Sequence, residues 1–401
     1  MLDRKLRIAW LHENLLYWNG GVKWILEVSG RLIHLCQLDI FVTRAAESNK
    51  LRFKDAGVDV VEFASVASDS LKYWLFYPYY ILANARKLKK VIASYDVVIS
   101  SSPTTCLIAS LLDIPAIFIL FEPNAWLYSD DFVAGLPAIK RAMLHLARPL
   151  FRYFDQKAVR KVDRLVAPDK FTASRCESIY SRKADIVYIG VDHAVFKPRS
   201  AESLRRKYEG RQVIIHSSTY LNPVKGTAYL VRAMQEIAKR VPSCLLLILN
   251  PHQDEKARAD LLDLASRTGV FSNMEFLPEI SEYDLPDYFS LARVIVQPSL
   301  YESTRMALAE AAACGTPGVS FSGGTAGEDI VDGETGFVVP VGDVGSLARS
   351  VITLLTDTDL HDRLGQNAIR LATTRFSWDT NAQTMLELAN AFIRNKGKRN
   401  D

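Results

Sequence analysis

Short, mostly apolar runs alternate with longer amphipathic runs along nearly the whole chain, and this alternation restricts the fold more than any other feature. The runs 6–11, 39–43, 58–63, 97–100 and 116–120 are too short for helices and set most of their apolar residues side by side. Such runs suit strands buried on both faces, as in parallel sheets covered by helices. Helices are expected between them, at 22–35, 71–93 and 104–111. A long basic helical region at 136–164, a strand at 164–167, a helix at 170–181 and a strand at 185–189 continue the series. The order then repeats. Strands are expected at 212–216, 244–249, 273–276, 293–297 and 318–321, with helices at 225–240 and 254–268. Repeated strand–helix order predicts doubly wound α/β domains. The chain of 401 residues is long enough for two. Gly190-Val191-Asp192 and Phe196-Lys197-Pro198 punctuate a linker between them. The expected domains are 1–197 and 198–375, followed by a closing helix and tail at 376–401.

Composition sets the outer limits. Hydrophobic content of 49% and charged content of 23% are ordinary for a globular protein, and a net charge of +4 is too small to argue for nucleic acid. The five cysteines are dispersed and form no CxxC pair, which fits reduced thiols and a cytoplasmic location. The opening MLDRKLRIAWLHE has no cleavable apolar core and does not read as a secretory signal. The longest apolar run, 114–121, spans eight residues, against the roughly 20 needed to span a membrane.

The stretch 297–324, QPSLYESTRMALAEAAACGTPGVSFSGG, carries the densest chemistry. A strand runs into a loop, and the loop opens an alanine-rich helix that stops at Cys314-Gly315, just before Pro317. The free N–H groups of such a helix start bind anions. Glu302 lies in the loop and Glu310 inside the helix among alanines, where an unpartnered carboxylate would be costly. A ribose could supply its hydroxyl donors. So could neighbouring backbone, which would make both acids structural. Elsewhere, Gly20-Gly21 precede a helix and can bring backbone close to a phosphate, although a plain strand-to-helix turn explains them equally. Lys225-Gly226 at a helix start, taken alone, is a solvated lysine. Asp357-Thr358-Asp359 sits between two helices and reads as a helix cap.

The phrase PSLYES-x4-LAEAAACGTPGV, with its Glu, seven residues, then Glu, resembles the signature of the group 1, family 4 retaining glycosyltransferases. The order of landmarks matches over nearly the whole chain. The resemblance implies the GT-B architecture: two Rossmann-like domains facing a central cleft, with a C-terminal helix crossing back to the first. It implies transfer of a sugar from a nucleotide-sugar donor to a glycan or lipid-linked acceptor, with no cofactor and no metal. Glu302 would lie near the donor sugar and Glu310 would hold the ribose hydroxyls. Lys225, in a loop resembling the family's G-R-L-x-x-E-K-G, would meet the donor diphosphate. Gly20, Gly21, Ser303 and Thr304 would border the phosphates. Three departures stand out. Family members carry a His where this chain has Phe121, so Glu122 or Asn124 could line the sugar pocket instead. Tyr220 replaces an Arg. Glu302-Ser303-Thr304-Arg305 replaces E-G-F-G, and Arg305 either supplies the missing cation or points to solvent. Two other readings stay open, a nucleotide-sugar epimerase on the same architecture and a non-catalytic partner subunit, and the departures favour the second of these.

The leaving diphosphate builds negative charge as the glycosidic bond breaks, so a catalyst needs preorganised donors there. Lys225, the Gly20-Gly21 turn and the N–H groups after Glu302 fill that need on paper. The region 140–164 also interleaves Lys140, Arg141, Arg148, Arg152, Lys157, Arg160, Lys161 and Arg164 with Met143, Leu144, Leu146, Leu150, Phe151, Tyr153 and Phe154. A second such stretch runs over 72–90. Basic, aromatic helix faces suit the anionic inner surface of a membrane. The competing reading packs the apolar faces on the sheet, and Pro149 is expected to break the helix.

Overall fold

The computed structural model describes residues 5–63, 76–134, 137–218, 220–249 and 254–397. The chain divides into one unit of Met1–Ile189 with Trp378–Asp401, and a second of Gly190–Ser377.

The first unit holds strands β1 (Arg7–Leu15), β2 (Gln37–Ala45), β3 (Asp59–Glu62), β4 (Val97–Ser100), β5 (Ala116–Ile119), β6 (Arg164–Ala167) and β7 (Asp185–Ile186). They form one parallel sheet in the order β3-β2-β1-β4-β5-β6-β7. The second unit holds β8 (Gln212–Ser217), β9 (Cys244–Leu249), β10 (Met274–Leu277), β11 (Val294–Gln297), β12 (Gly318–Phe321) and β13 (Gly336–Val339). Its parallel sheet runs β10-β9-β8-β11-β12-β13. The doubly wound α/β fold expected from the alternating runs is therefore present twice. The central strands are buried on both faces, which is why β4, β5, β9, β11 and β12 read as continuous apolar runs. In the second unit Leu230, Val231, Met234 and Ile237 of one helix, and Leu347, Val351 and Leu354 of another, pack with Ile214, Leu246, Val296 and Val319 of the sheet. Full burial stabilises by about 1.5–3 kcal/mol per large apolar side chain.

Strand order reverses at β1/β4 in the first unit and at β8/β11 in the second. Ligands of open α/β sheets bind beyond the carboxyl ends of strands at such switch points.

Several boundaries differ from expectation for identifiable reasons. The first strand continues past residue 11 into the expected loop, because β2 pairs with it as far as Leu15↔Ala45. The helix Glu47–Asp55 has no expected counterpart. Only Asn49 and Phe53 of it are buried, so it shows almost no apolar periodicity. Of the helix expected at 71–93, residues 71–75 lie outside the described residues, and Tyr77–Ile92 is helical. Ala138–Lys161 is one helix through Pro149, not two. Pro149 is exposed, where water can serve the carbonyl left without a donor. The unit boundary falls at Ile189/Gly190, ahead of the expected 197. Val191 pairs with Ser377, His193 Nε2 donates to Phe376 O at 2.8 Å, and Phe196 packs on Phe289 at 6.3 Å. These contacts bind residues 190–196 to the second unit. The last helix, Trp378–Gly397, returns to the first.

Candidate functional site

In the second unit the carboxyl ends of β8, β11 and β12 run into three loops that meet backbone to backbone. Leu300 N donates to Val224 O at 2.8 Å, and Thr325 N to Glu302 O at 3.2 Å. Gly226 has φ +71°, and a Cβ there would lie 1.8 Å from Pro298 O. Gly324 has φ +65°, and a Cβ there would lie 1.9 Å from Glu302 O. Only glycine meets both demands, a left-handed backbone and a carbonyl at van der Waals contact.

On this platform Lys225 Nζ forms an ion pair with Glu302 Oε1, and Ser299 Oγ donates to Glu302 Oε2 at 2.8 Å. The two charged side chains are 22% and 18% exposed, so solvent reaches the pair without flooding it. Lys225 ends a short turn, Pro223–Lys225, which Asn222 caps through its side-chain oxygen. Ser303 and Thr304 are half-buried in the loop that follows Glu302. Glu310 is buried in the helix Met306–Ala313 and has an interaction of its own.

Beneath the ion pair lies His216, which the sequence reasoning did not single out. Its Nδ1 donates to Val296 O at 2.9 Å, so Nε2 accepts from Thr227 Oγ1 at 3.0 Å. The ring thus joins β8, β11 and the first residue of the helix Thr227–Arg240. Burial pushes its pKa down to about 4. The Val296 contact opposes this, Lys225 adds to it and Glu302 opposes it. A polar ring ending an otherwise apolar strand, Val213-Ile214-Ile215-His216, was the available sequence signal.

Arg305 corrects one of the two expectations made for it, since it does not point to solvent. The residue is 2% exposed, its Nη1 donates to Thr325 Oγ1 at 3.1 Å, and its Nη2 donates to Gly323 O. Nη1 also lies 3.5 Å from Asp329 Oδ2, and Thr325 Oγ1 donates to that same oxygen at 2.7 Å. A buried counter-charge on the next helix draws the guanidinium inward, where it ties the Gly323–Gly324 loop to the start of the Met306–Ala313 helix.

The remaining expected site residues belong to the first unit. Gly20 and Gly21 open the helix Gly20–Leu32, capped by Asn19, whose Oδ1 accepts from Val22 N at 3.0 Å. Phe121 packs edge-on against Trp24, with centroids 4.9 Å apart, and its ring would lie 3.5 Å from a Cβ at position 21. Glu122 is exposed, 3.7 Å from Arg175, and Asn124 caps the turn Ala125–Tyr128. Phe121 and Asn124 therefore have structural duties. Asp357 accepts from Leu360 N at 2.9 Å as a helix cap, as expected.

Comparison with known proteins places this geometry. The profile "Glycosyl transferases group 1" matches residues 199–371, and "Glycosyltransferase Family 4" matches residues 18–195. The sequence is 28% identical over 243 residues to a D-inositol 3-phosphate glycosyltransferase of Kribbella flavida, covering 58% of this chain and 57% of that protein. A protein of the same name from Salinispora arenicola is 31% identical over 251 residues, covering 58% and 56%. The chain thus aligns with little more than half the length of these relatives. The crystal structure of Anabaena Alr3699/HepE in complex with UDP shares the fold, with a TM-score of 0.80 at 16% identity, covering 96% of this chain and 100% of that one. With one family profile matched to most of each unit, and both units built on parallel sheets of this architecture, the chain belongs to the group 1, family 4 glycosyltransferases.

Proposed function

We propose that the protein transfers a sugar from a nucleotide-sugar donor to a hydroxyl of a glycan or lipid-linked acceptor, with retention of anomeric configuration and without a metal. The observation that carries this reading is the Lys225–Glu302–Ser299 cluster at the switch point of the second unit, with Glu310 buried eight residues beyond Glu302. The names of the relatives and the complex of the Anabaena protein with UDP support the class of donor.

In this mechanism Lys225 offsets charge growing on the leaving diphosphate, with the loop N–H groups after Glu302 assisting. Glu302 faces the positive charge that develops at the transferred sugar, and Glu310 holds the ribose hydroxyls. The acceptor hydroxyl attacks on the face the diphosphate leaves, and its proton passes to the departing phosphate. Incubating purified protein with UDP-, GDP- and ADP-sugars, alone and with a glycan or lipid-linked acceptor, tests the scheme. Release of nucleoside diphosphate with a product of the donor's anomeric configuration is expected. An isomerised donor would mean an epimerase, an inverted product would overturn retention, and no turnover would leave a binding subunit.

The acceptor side of the proposal is an anionic lipid surface met by the Ala138–Lys161 helix. Met143, Leu146, Leu150, Tyr153 and Phe154 form an outward row on that helix, and Leu146 is 86% exposed. Tyr79 and Leu82 of the Tyr77–Ile92 helix are also exposed, and Tyr77 meets Phe151 at 5.9 Å, joining the two helices. The apolar residues are thus not all spent on the sheet. Exposed Lys140, Arg141, Lys157, Lys89 and Lys90 surround them. Two cations of the original set are withdrawn. Arg148 is buried, donates to Leu127 O and pairs with Asp130, while Arg152 donates to Leu127 O and covers the Tyr128 ring. Residues 72–75 of the second basic stretch lie outside the described residues. Among the described residues no helix is long and apolar enough to cross a membrane. Basic residues near an anionic surface add about 1 kcal/mol each. Co-sedimentation with phosphatidylserine vesicles should therefore fall with added salt and in the triple variant K140A/R141A/K157A, and Leu146→Ser should weaken it as well. Equal recovery with neutral and anionic vesicles at low salt would point to an acceptor in solution.

A further inference from the structure

Arg305 belongs to the loop that carries Glu302 and immediately precedes the Met306–Ala313 helix, yet its side chain is spent on another loop. Nη2 donates to Gly323 O, and Nη1 donates to Thr325 Oγ1 at 3.1 Å. The chemistry of the groups fixes the direction of each bond, since a guanidinium only donates and a carboxylate only accepts. The Thr325 hydroxyl hydrogen goes to Asp329 Oδ2 at 2.7 Å, which leaves Thr325 Oγ1 as the acceptor for Arg305. Asp329 Oδ2 also lies 3.5 Å from Nη1, and both side chains are almost wholly buried. Nε is buried without a hydrogen-bond partner among the described residues, so the arrangement forgoes one bond to keep the two at the Nη atoms. The Glu302 loop is pinned at its other end too, where Thr325 N donates to Glu302 O at 3.2 Å. Thr325 thus grips the loop twice, by its amide at Glu302 and by its hydroxyl at Arg305. Ser303 and Thr304 are the two residues spanned.

We propose that Arg305 is a positioning residue for the donor: it does not meet the diphosphate itself but fixes the backbone of Ser303 and Thr304 where the diphosphate binds. This rests on the glycosyltransferase reading, in which those two residues border the phosphates. Two observations carry it. The guanidinium is buried against the Gly323–Thr325 loop, beside a carboxylate that already offsets its charge, so it presents no open face to a phosphate. The loop it holds has no glycine between Glu302 and Met306, where the resembled signature has two. A glycine-bearing loop can settle around a phosphate as it binds. A Ser-Thr-Arg loop has fewer backbone conformations open to it and is better built in the right one beforehand. The clamp does this, and donors already in place are the ones that stabilise developing charge. Lysine cannot replace the arginine here, because one ammonium lacks the planar fork that reaches Gly323 O and Thr325 Oγ1 together.

Calorimetry with UDP, GDP and ADP, each set against its nucleoside, reads the effect in the parent protein, Arg305→Lys, Thr325→Val and the double variant. Both single variants keep a positive charge at position 305. Each should bind the nucleoside diphosphate about five- to tenfold more weakly with nucleoside affinity unchanged. The double variant should be no weaker than the worse single one, because both changes break one clamp. If Arg305 met the diphosphate directly, Thr325→Val would keep parental affinity, and that result overturns the proposal. A purely structural role overturns it as well: both variants would then unfold at lower temperature while the folded protein binds diphosphate as tightly as the parent. Hydrogen exchange over residues 322–330 of the free protein needs no ligand. The Thr325 amide should exchange about tenfold faster in both variants than in the parent, and equal rates would mean that no clamp exists. If a folded parent binds none of the three diphosphates, the glycosyltransferase reading is at fault, and the exchange rates alone decide whether the clamp stands.

Discussion

Lys225 and Glu302 neutralise each other in the free protein, so a diphosphate must compete with Glu302 for the ammonium. The two residues should therefore respond in opposite senses. Lys225→Ala should weaken nucleoside diphosphate binding far more than nucleoside binding. Glu302→Gln should leave diphosphate affinity unchanged or higher while turnover drops. Calorimetry paired with product formation checks both, and loss of diphosphate affinity in Glu302→Gln would contradict the competition. His216 yields a pH prediction. Its folded pKa of about 4 lies below the unfolded value near 6.5, so the unfolded chain binds the extra proton between those limits. Stability from this group is full above pH 6.5 and is lost as the pH falls toward 4, by up to about 3 kcal/mol at 1.36 kcal/mol per unit. Urea unfolding at pH 7.5 and 5 should show a smaller acid loss in His216→Asn than in the parent. At this scale the sequence was legible where a motif fixes a position. Lys225 and Glu302 lie far apart in the chain yet share an ion pair, as two loops expected at one site should. Arg305 was not legible, because its direction depends on Asp329, whose burial follows only from tertiary packing.

Among the elements, the loops beyond β8, β11 and β12 hold the site by backbone contact, and glycine is the condition for that contact. Gly324→Ala combines a left-handed backbone with a carbonyl 1.9 Å away, so the 322–325 loop must move off Glu302. Nucleotide affinity should fall at least tenfold, with stability lower by about 1–3 kcal/mol, the range for strained backbone. Thermal unfolding and calorimetry on the same sample check this, and unchanged affinity would show that the loop does not shape the site. Strand legibility followed burial. The two-sided apolar strands β4, β6, β9 and β12 fall where the sequence placed them. The far end of β1, with His12, Glu13 and Asn14, looked like a loop because polar residues crowd the end of a strand at a ligand-binding edge. The Glu47–Asp55 helix escaped because it buries too little to impose a period.

Across the whole molecule, the sequence conveyed two α/β units because each repeats the same strand–helix order around its own core. It also conveyed the return of the last helix. In the first unit Trp378 lies 6.4 Å from Trp24, Asn381 Oδ1 accepts from Trp24 Nε1 at 3.2 Å, and Asn381 Nδ2 donates to Tyr188 O at 2.7 Å. The exact boundary was not legible, since Val191 and Phe196 declare their unit only through Ser377 and Phe289. The central claim is that the second unit binds the nucleotide of the donor, with Glu310 on the ribose. Calorimetric titration with UDP, GDP and ADP, comparing the parent protein with Glu310→Ala, tests it most directly. The account predicts saturable binding of at least one nucleoside diphosphate, weakened in Glu310→Ala by about 1–3 kcal/mol, the range for a lost charged hydrogen bond. Equal affinity in the two proteins, or no binding of any of the three to a folded parent, would contradict it.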